Sequence, residues 1–570
     1  MANLDTAACN NADKWLNSSI DESIKAEIVR MRAENPEEFN DAFYRTLEFG
    51  TGGLRGVMGL GTNRMNLLTV SMTTQGFCNY IRLKNGEKPI SCVISHDSRN
   101  NSREFALTTA RVMTSNGFKV YMFEDLRPTP ELSFAVRELK ADAGVMITAS
   151  HNPKEYNGYK AYWNDGAQLT TPHDVEVIEQ VNKITDIAQV KISKDDSGIV
   201  FLGKDMDKNY IDRVKSLSLN KGYIERHKDL KIVYTPLHGT GITVVPAALK
   251  AYGFENVFVE EHQAIPDGNF PTCLSPNPEN PEALEAGLRK AKEVDADILL
   301  ATDPDADREA IAVKTSSGEW VLLNGNQTAA LFTYYLLMRW QQEHKLTGKQ
   351  FVIKTIVTSE LVRKVADSFN VHCYDTLTGF KHIAAKIKSL EGKEEYIGGG
   401  EESFGYLIGD FVRDKDSISG CCILAEMAAY AADKGQTLYD MLMDLYVNYA
   451  FYAEKQVSIT RKGKSGAQEI EAMMNEFRSN PPKNLDGIAV ERTVDYLYPE
   501  KTGLPKSNVL QYFLADGSKV SVRPSGTEPK IKFYFSICSK LENISQYASK
   551  HAEAMQKIEV IQKEMGLKQA

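Results

Sequence analysis

Short apolar runs alternate with amphipathic stretches along most of this chain, beginning near residue 50 and continuing to about residue 400. Each run has the length of a buried strand, and the stretch after it has the spacing of a helix that covers one side of a sheet. Strands that alternate with helices favour a parallel or mixed sheet. Because the alternation restarts near Lys231 and again near Phe351, the sequence predicts three tandem mixed-sheet α/β domains.

The two ends of the chain follow other patterns. Residues 1–48 favour helices, one of which we expect Ser19 to cap. Residues 509–537 contain three short apolar runs joined by turns, and a polar helix is predicted for residues 545–565. This predicts a smaller C-terminal α+β domain. A length of 570 residues suits several domains of ordinary size, and we place their bounds at 1–215, 216–322, 323–449 and 450–570.

Composition and charge argue against several classes of protein. The net charge is −9 and the isoelectric point is about 5.7, whereas a general nucleic-acid binder needs a basic face. Residues 1–20 have no apolar core of the signal-peptide type, and apolar stretches such as residues 421–432 are too short to span a bilayer. We therefore expect a cytoplasmic protein that binds neither nucleic acid nor membrane. The eight cysteines have no Cys-x-x-Cys spacing, so we expect reduced thiols.

The first of four polar clusters that follow predicted strands is Thr-Ala-Ser-His-Asn-Pro at residues 148–153. Ligands of parallel α/β sheets bind at the carboxyl ends of strands, so Ser150 would stand where a nucleophile can be presented. His151 and Asn152 can hold its hydroxyl or an attached phosphate. An ordinary strand-to-helix loop with capping residues would have the same composition, and the cluster alone leaves both interpretations open.

The second cluster is Asp-Pro-Asp-Ala-Asp-Arg at residues 303–308. The carboxylates of Asp303, Asp305 and Asp307 would repel one another unless a cation gathered them, and a set of oxygen ligands suits Mg²⁺. A calcium loop of the EF-hand type is excluded, because its sixth and twelfth positions would be Arg308 and Lys314 instead of glycine and glutamate. A solvated acidic loop is the weaker alternative, since an apolar strand leads straight into the cluster.

The third cluster is Gly-Gly-Gly-Glu-Glu-Ser-Phe-Gly at residues 398–405. Three consecutive glycines permit close approach of a ligand to the backbone. Glu401 and Ser403 can face the same side of an extended loop and suit neighbouring sugar hydroxyls. A flexible turn with Ser403 as a helix cap explains the glycines equally well.

The fourth cluster is Arg-Pro-Ser-Gly-Thr-Glu-Pro-Lys at residues 523–530, between two predicted strands of the last domain. An arginine, two hydroxyls and a backbone N–H next to glycine can hold a phosphate. A simple β-turn would also explain the Ser-Gly pair, so this cluster is moderately specific on its own.

Together, the four clusters resemble the α-D-phosphohexomutase family, which has them in the same order along the chain. The Tyr-Asn-Gly-Tyr-Lys run at residues 156–160 adds to the match. The resemblance covers nearly the whole chain and implies four domains around a central cleft, each of which contributes one loop. It further implies an isomerase that interconverts hexose 1-phosphate and hexose 6-phosphate through a phosphoserine and a bisphosphorylated sugar.

The resemblance also implies a role for individual residues. Ser150 matches the phosphoserine, and its phosphate would bind Mg²⁺ together with Asp303, Asp305 and Asp307. Glu401 and Ser403 would bind the sugar hydroxyls, together with Lys381 of segment 378–381, which also resembles a family segment. The clamp on the phosphate that is not reacting would consist of Arg523, Ser525, Gly526 and Thr527. The catalytic cations would be Arg55 of segment 50–56, Lys160, Arg308 and Lys415. Segment 96–99 also resembles a family segment.

The chain departs from the family pattern in the third cluster, residues 398–405, here called the sugar loop. Many bacterial members have Ser-Gly-His there, whereas this chain has Ser403-Phe404-Gly405. The change is nearer to the phosphoglucomutase branch of the family. It leaves Lys160, His151 and Lys415 as candidates for the general base.

The substrate and the partners are expectations of the same kind. The sugar loop favours glucose phosphates, with mannose or pentose phosphates as alternatives. We expect Mg²⁺ and glucose 1,6-bisphosphate as cofactors, sugar phosphates as the only partners, and a monomer or homodimer. Two remote alternatives are a phosphatase with Asp303 as its nucleophile, because Asp-x-Asp also occurs in aspartyl phosphatases, and a non-catalytic sensor of sugar phosphates.

Overall fold

The computed structural model describes residues 4–49, 53–461, 463–525 and 530–567. The chain forms two compact units. The first unit consists of Met1–Val313 and Gly405–Asp433, and the second of Lys314–Phe404 and Lys434–Ala570. Because these units cut across the four predicted domains, the domain bounds given above stay a prediction.

Three helices open the first unit: α1 (Thr6–Leu16), α2 (Glu22–Glu34) and α3 (Pro36–Phe43). They pack around a small core of their own that includes Trp15, Phe39 and Phe43. The expected cap at Ser19 is wrong. Helix α2 is capped by Asp21, whose side chain accepts a hydrogen bond from the backbone N–H of Ser23. Both residue types cap helices well, so only the position of the turn decides between them.

The first sheet of this unit has the strand order β1-β5-β4-β2-β3-β6. Its strands are β1 (Gly53–Val57), β2 (Ser91–His96), β3 (Lys119–Phe123), β4 (Ala143–Ile147), β5 (Tyr156–Trp163) and β6 (Ile199–Leu202). Strands β4, β2, β3 and β6 are parallel, β5 pairs antiparallel with β4, and β1 pairs antiparallel with β5. The helices of this region are α4 (Leu67–Asn85), α5 (Ser102–Ser115), α6 (Thr129–Glu138), α7 (His173–Asn182), α8 (Lys204–Lys215) and α9 (Lys221–Arg226).

The second sheet repeats this plan on a smaller scale. It contains β7 (Lys231–Thr235), β8 (Asn256–Val259), β9 (Ile298–Thr302) and β10 (Glu309–Lys314), with helices α10 (Val245–Tyr252) and α11 (Pro281–Glu293). Strand β7 pairs in parallel with β8 and β9, and β10 returns antiparallel to β9. Every residue of β9 is buried, which explains its continuous apolar sequence.

The second unit begins with the short strand β11 (Trp320–Leu322), which is not part of the third sheet. The third α/β region follows, with the elements α12 (Gly325–Gln342), β12 (Gln350–Thr355), α13 (Glu360–Ser368), β13 (His372–Thr376), α14 (Phe380–Leu390) and β14 (Glu395–Gly400). Strand β12 pairs in parallel with β13 on one side and with β14 on the other. The chain then returns to the first unit with β15 (Tyr406–Ile408) and the buried helix α15 (Ser417–Asp433).

The C-terminal domain, in the second unit, is built on an antiparallel sheet of order β16-β21-β20-β19-β18-β17. Helix α16 (Leu438–Asn448) precedes this domain, which consists of β16 (Phe451–Thr460), α17 (Gly463–Ser479), β17 (Asn484–Leu485), β18 (Ile488–Asp495), α18 (Pro499–Thr502), β19 (Leu510–Leu514), β20 (Lys519–Pro524), β21 (Lys530–Ser539) and α19 (Tyr547–Glu564). The predicted fold class, three tandem α/β domains followed by a smaller α+β domain, is confirmed.

The structure also bears on cysteine chemistry and membranes. All eight cysteines are free thiols, as the sequence predicted. Within the described ranges, no helix combines the length and apolar character that a bilayer crossing requires.

One partly buried carboxyl gives the fold a pH dependence. Burial raises the pKa of Glu454, on β16, from an ordinary 4.5 to about 7. Between these values the folded protein keeps a proton that the unfolded chain releases, so stability falls as the pH rises through this window. We expect Glu454→Gln to raise the Tm by about 2–4 °C at pH 8 and to leave it unchanged at pH 4.5. Scanning calorimetry at both pH values tests this, and an equal shift at both would contradict it.

Candidate active site

Ser150 lies in the turn that follows the fully buried strand β4. Its backbone has a left-handed φ of 53°, and its N–H donates to the Thr148 hydroxyl over 2.8 Å. A non-glycine residue held in this conformation is strained, and such strain is typical of functional turns. The Ser150 side chain donates a 2.8 Å hydrogen bond to Oδ2 of Asp303, and its Oγ lies 3.1 Å from Nδ1 of His151.

Arg99, which follows strand β2, stabilises the turn that contains Ser150, here called the serine turn. Its guanidinium donates to the carbonyl oxygens of Ser150 (2.5 Å), Pro153 (2.9 Å) and Tyr156 (3.0 Å), and also to that of Asn152. Arg99 is buried and pairs with Asp97 at 3.3 Å. One side chain thus satisfies four backbone carbonyls and fixes the path of the turn.

The three aspartates of the second cluster lie together in the turn between β9 and β10, and all are buried. One carboxylate oxygen from each can be chosen so that the three lie within 4.8 Å of one another. Oδ1 of Asp303 accepts hydrogen bonds from the backbone N–H groups of Asp307 and Arg308, each over 3.1 Å. Burial, together with the charges of Asp305 and Asp307, raises the pKa of Asp303 well above its usual range.

Two lysines approach the aspartates from distant parts of the first unit. Nζ of Lys160, on β5, lies 2.6 Å from Oδ2 of Asp305 and 2.9 Å from Oδ2 of Asp307. Nζ of Lys415 lies 3.2 Å from the same oxygen of Asp307. Burial alone would raise the pKa of Asp307, but the charges of Lys160 and Lys415 lower it overall. Burial likewise opposes the charge on Lys160, yet the two aspartates raise its pKa.

The donor set fits a divalent cation. Oδ1 of Asp305 and Oδ1 of Asp307 are buried and have no hydrogen-bond partner among the described residues. Buried carboxylate oxygens without a partner are costly, and a bound cation is one way to satisfy them. Oxygen ligands at this spacing suit a hard ion such as Mg²⁺.

Further cations surround the serine turn. Arg55, on β1, donates to Oδ1 of Asn152 over 3.1 Å. Arg308 pairs with Glu279 at 2.6 Å. Burial, followed by the charges of Arg308 and Arg55, holds the pKa of His151 well below its usual range. The first unit therefore brings together Ser150, His151, the three aspartates and the four predicted cations.

The remaining predicted site residues belong to the second unit. Glu401 and Ser403 follow strand β14, and Oε1 of Glu401 accepts a 2.9 Å hydrogen bond from the backbone N–H of Gly379. Lys381 lies two residues farther, in the first turn of α14. The structure thus joins the sugar loop to segment 378–381.

The fourth cluster connects β20 to β21. Its Arg523 side chain lies within hydrogen-bond reach of Tyr534, a buried residue of β21. Burial, and the charge of Glu402 next, raise the pKa of the Tyr534 phenol, which places the sugar loop near this strand. The Ser525 N–H donates to the Lys530 carbonyl. Gly526 and Thr527 lie outside the described residues.

Three supporting residues were missed as functional candidates. Thr129 donates to Asp305, Glu279 pairs with Arg308, and Arg99 holds the serine turn. Arg99 carried a signal, because it stands in a segment that resembles the family. Thr129 follows a predicted strand, and Glu279 lies in a proline-rich stretch. These positions are only weak indications of a functional role.

The sequence of this chain matches a family of known proteins. Residues 46–188, 208–318 and 324–449 match domains I, II and III of the phosphoglucomutase/phosphomannomutase α/β/α models. The phosphoglucomutase of Staphylococcus haemolyticus is 36% identical over 549 residues, which cover 94% of this chain and 98% of that protein. The phosphoglucomutase of Staphylococcus aureus is 36% identical over 554 residues, covering 95% and 98%.

Solved structures share the fold at lower identity. A phosphoglucomutase/phosphomannomutase family protein from Burkholderia thailandensis matches with a TM-score of 0.66 and 20% identity, covering 91% of this chain and 97% of that one. The phosphoglucomutase parafusin from Paramecium matches with a TM-score of 0.68 and 17% identity, covering 91% and 96%.

Proposed function

The chain belongs to the phosphoglucomutase/phosphomannomutase family, and from this premise we propose that it interconverts glucose 1-phosphate and glucose 6-phosphate through a phosphorylated Ser150. An isomerase of the phosphohexomutase class follows from the membership itself. The observation that carries the finer proposal is the 2.8 Å contact between Ser150 Oγ and Asp303, beside two buried carboxylate oxygens without partners.

The proposed cycle starts with Ser150 phosphorylated. A sugar hydroxyl attacks phosphorus, the bond between phosphorus and Ser150 Oγ breaks, and a base takes the proton of the hydroxyl. The product is a bisphosphorylated sugar. It turns so that its other phosphate meets Ser150. Ser150 Oγ then attacks that phosphorus, the bond from phosphorus to the sugar oxygen breaks, and the base returns its proton to this oxygen as the isomerised monophosphate leaves. Glucose 1,6-bisphosphate is therefore the proposed intermediate and activator.

The residues around Ser150 support this chemistry electrostatically. Arg55, Arg308, Lys160 and Lys415 place positive charge where a phosphoryl group carries about −1.5 to −2. Asp303, Asp305 and Asp307 would hold Mg²⁺, with the phosphate on Ser150 as a further ligand. When bound, Mg²⁺ supplies Lewis-acid stabilisation of negative charge on the serine oxygen as it leaves.

His151 is the proposed base among the three candidates. Its Nδ1 lies 3.1 Å from Ser150 Oγ, and its lowered pKa favours the neutral ring, which can accept a proton. Lys160 is less suited, because two carboxylates hold its ammonium protonated. Lys415 contacts Asp307 in the same way.

Recognition of the sugar phosphate is assigned to the second unit. Glu401, Ser403 and Lys381 are proposed to bind the sugar, and Arg523 and Ser525 the phosphate that is not reacting, together with Gly526 and Thr527. Sugar phosphates stay the only expected partners, and a cytoplasmic monomer or homodimer stays a prediction.

The preference for glucose is tested by steady-state kinetics. The sugar loop lacks histidine, and relatives that match nearly the whole chain are phosphoglucomutases. We expect kcat/KM to be highest for glucose 1-phosphate when it is compared with mannose 1-phosphate and ribose 1-phosphate. A higher value for either competitor would reassign the substrate and leave the reaction class intact.

Arg523 provides a test of the phosphate clamp. A charge-assisted hydrogen bond to phosphate contributes about 1.5–3 kcal/mol, so Arg523→Ala should raise the KM for glucose 1-phosphate about 10–100-fold. We expect a smaller change in kcat. Arg492→Ala is the matched control, because Arg492 lies on β18 of the same sheet, is exposed and stacks on Phe513. An equal KM for the two variants would remove Arg523 from the clamp.

A further inference from the structure

Helix α6 begins at Thr129, and this residue makes two hydrogen bonds to the aspartate turn between β9 and β10. Its hydroxyl donates to Oδ2 of Asp305 over 2.8 Å, and its backbone N–H donates to the Asp305 carbonyl over 2.9 Å. Thr129 and Asp305 are both fully buried and stand 176 positions apart in the sequence. The contact therefore joins the first sheet region to the aspartate turn.

The hydrogen bonds of Asp305 are distributed unequally over its two carboxylate oxygens. Oδ2 accepts from both Thr129 and Lys160, whereas Oδ1 is buried without a partner among the described residues. Two donors on one oxygen prevent rotation of the carboxylate about its last side-chain bond. The free oxygen is thereby held in one orientation.

We propose that Thr129 is a positioning residue that presents Oδ1 of Asp305 to the divalent cation. The inference rests on the proposed magnesium site and extends it to a residue that would not touch the ion. Outer hydrogen bonds to ligating carboxylates fix their orientation, and their loss commonly weakens metal binding 10–100-fold. Thr129 also gives Asp305 a second donor besides Lys160, whose ammonium group is shared with Asp307.

The chain offers a matched control in Ser417, the first residue of α15. Its buried hydroxyl donates over 2.6 Å to the carbonyl of Ala306, in the middle of the same turn. Thr129 and Ser417 both support the turn, but only Thr129 contacts a carboxylate. A general role in stabilising the turn predicts similar effects of the two hydroxyls, whereas orientation of Asp305 predicts different ones.

The test is a titration of the full-length protein with Mn²⁺, which prefers the same oxygen ligands as Mg²⁺, with free Mn²⁺ measured by electron paramagnetic resonance. Thr129→Val keeps the shape and the backbone N–H but removes the hydroxyl, and we expect its Kd to rise about 10–100-fold. Thr129→Ser keeps a hydroxyl donor and should stay within about threefold of the wild type. Ser417→Ala should also stay within about threefold, because its partner is a backbone carbonyl.

Circular dichroism and the Tm confirm folding of each variant, and Thr129→Ala removes the same hydroxyl should valine not be accommodated. Unchanged Mn²⁺ affinity in folded Thr129→Val, or equal weakening in Ser417→Ala, would overturn the inference while leaving the magnesium site in place. A wild-type protein that binds no Mn²⁺ would overturn the magnesium site, and the inference with it.

Discussion

Replacing Ser150 by alanine should lower kcat for the interconversion of glucose phosphates by about 10⁴-fold or more, with the fold intact. The hydroxyl is the proposed carrier of the phosphoryl group, and no other hydroxyl is bonded to Asp303 among the described residues. The loss should appear in kcat, because the residues proposed to bind the sugar are unchanged. Steady-state rates with added glucose 1,6-bisphosphate measure it.

Ser133→Ala is the matched control for this substitution. Ser133 is also a buried serine of the first unit, and its hydroxyl donates to the Gly166 carbonyl over 2.6 Å. We expect its kcat within a few-fold of the wild type.

Incubation with sugar phosphate labelled in the phosphoryl group should place the label on Ser150. Label on Asp303, or near-normal turnover by Ser150→Ala, would refute the phosphoserine and favour the aspartyl phosphatase alternative.

Removal of Mg²⁺ is the second large effect that we expect. Excess chelator should reduce activity by about 10³-fold or more, and added Mg²⁺ should restore it, because the charge of the serine oxygen would lose its main stabilisation. Asp303→Asn should show a loss of similar size that added Mg²⁺ does not restore. Full activity in excess chelator would contradict the assignment of the aspartates as metal ligands.

Asp303→Asn should lower the activity, but we expect that it does not lower the stability of the metal-free protein. Burial, Asp305 and Asp307 raise the pKa of Asp303, which means that the charge of Asp303, beside those of the other two carboxylates, destabilises the metal-free protein. Asp303→Asn removes one of these charges at similar volume, so its Tm without Mg²⁺ should equal or exceed that of the wild type. With Mg²⁺ the wild type should gain stability and the variant little. A Tm of the variant well below that of the metal-free wild type would contradict this account.

The sequence by itself determined the fold class and the chemical groups of the site. Alternation of apolar and amphipathic stretches is a local property, and so are the runs Thr-Ala-Ser-His-Asn-Pro and Asp-Pro-Asp-Ala-Asp-Arg. The restart of the alternation that the sequence indicates near Lys231 coincides with strand β7, which begins at that residue. Strands β5 and β13 were not predicted, because their apolar residues are interrupted by polar ones whose role becomes visible only beside their neighbours.

The tertiary structure decided which distant groups meet. Ser150 and Asp303 are 153 positions apart, and Lys160 and Asp305 are 145 apart, yet each pair is in hydrogen-bond contact. Thr129 and Arg99 took their roles in the same way, through partners that no local spacing reveals. Periodicity records which face of an element is buried, whereas the identity of a partner across the fold depends on how sheets and helices pack.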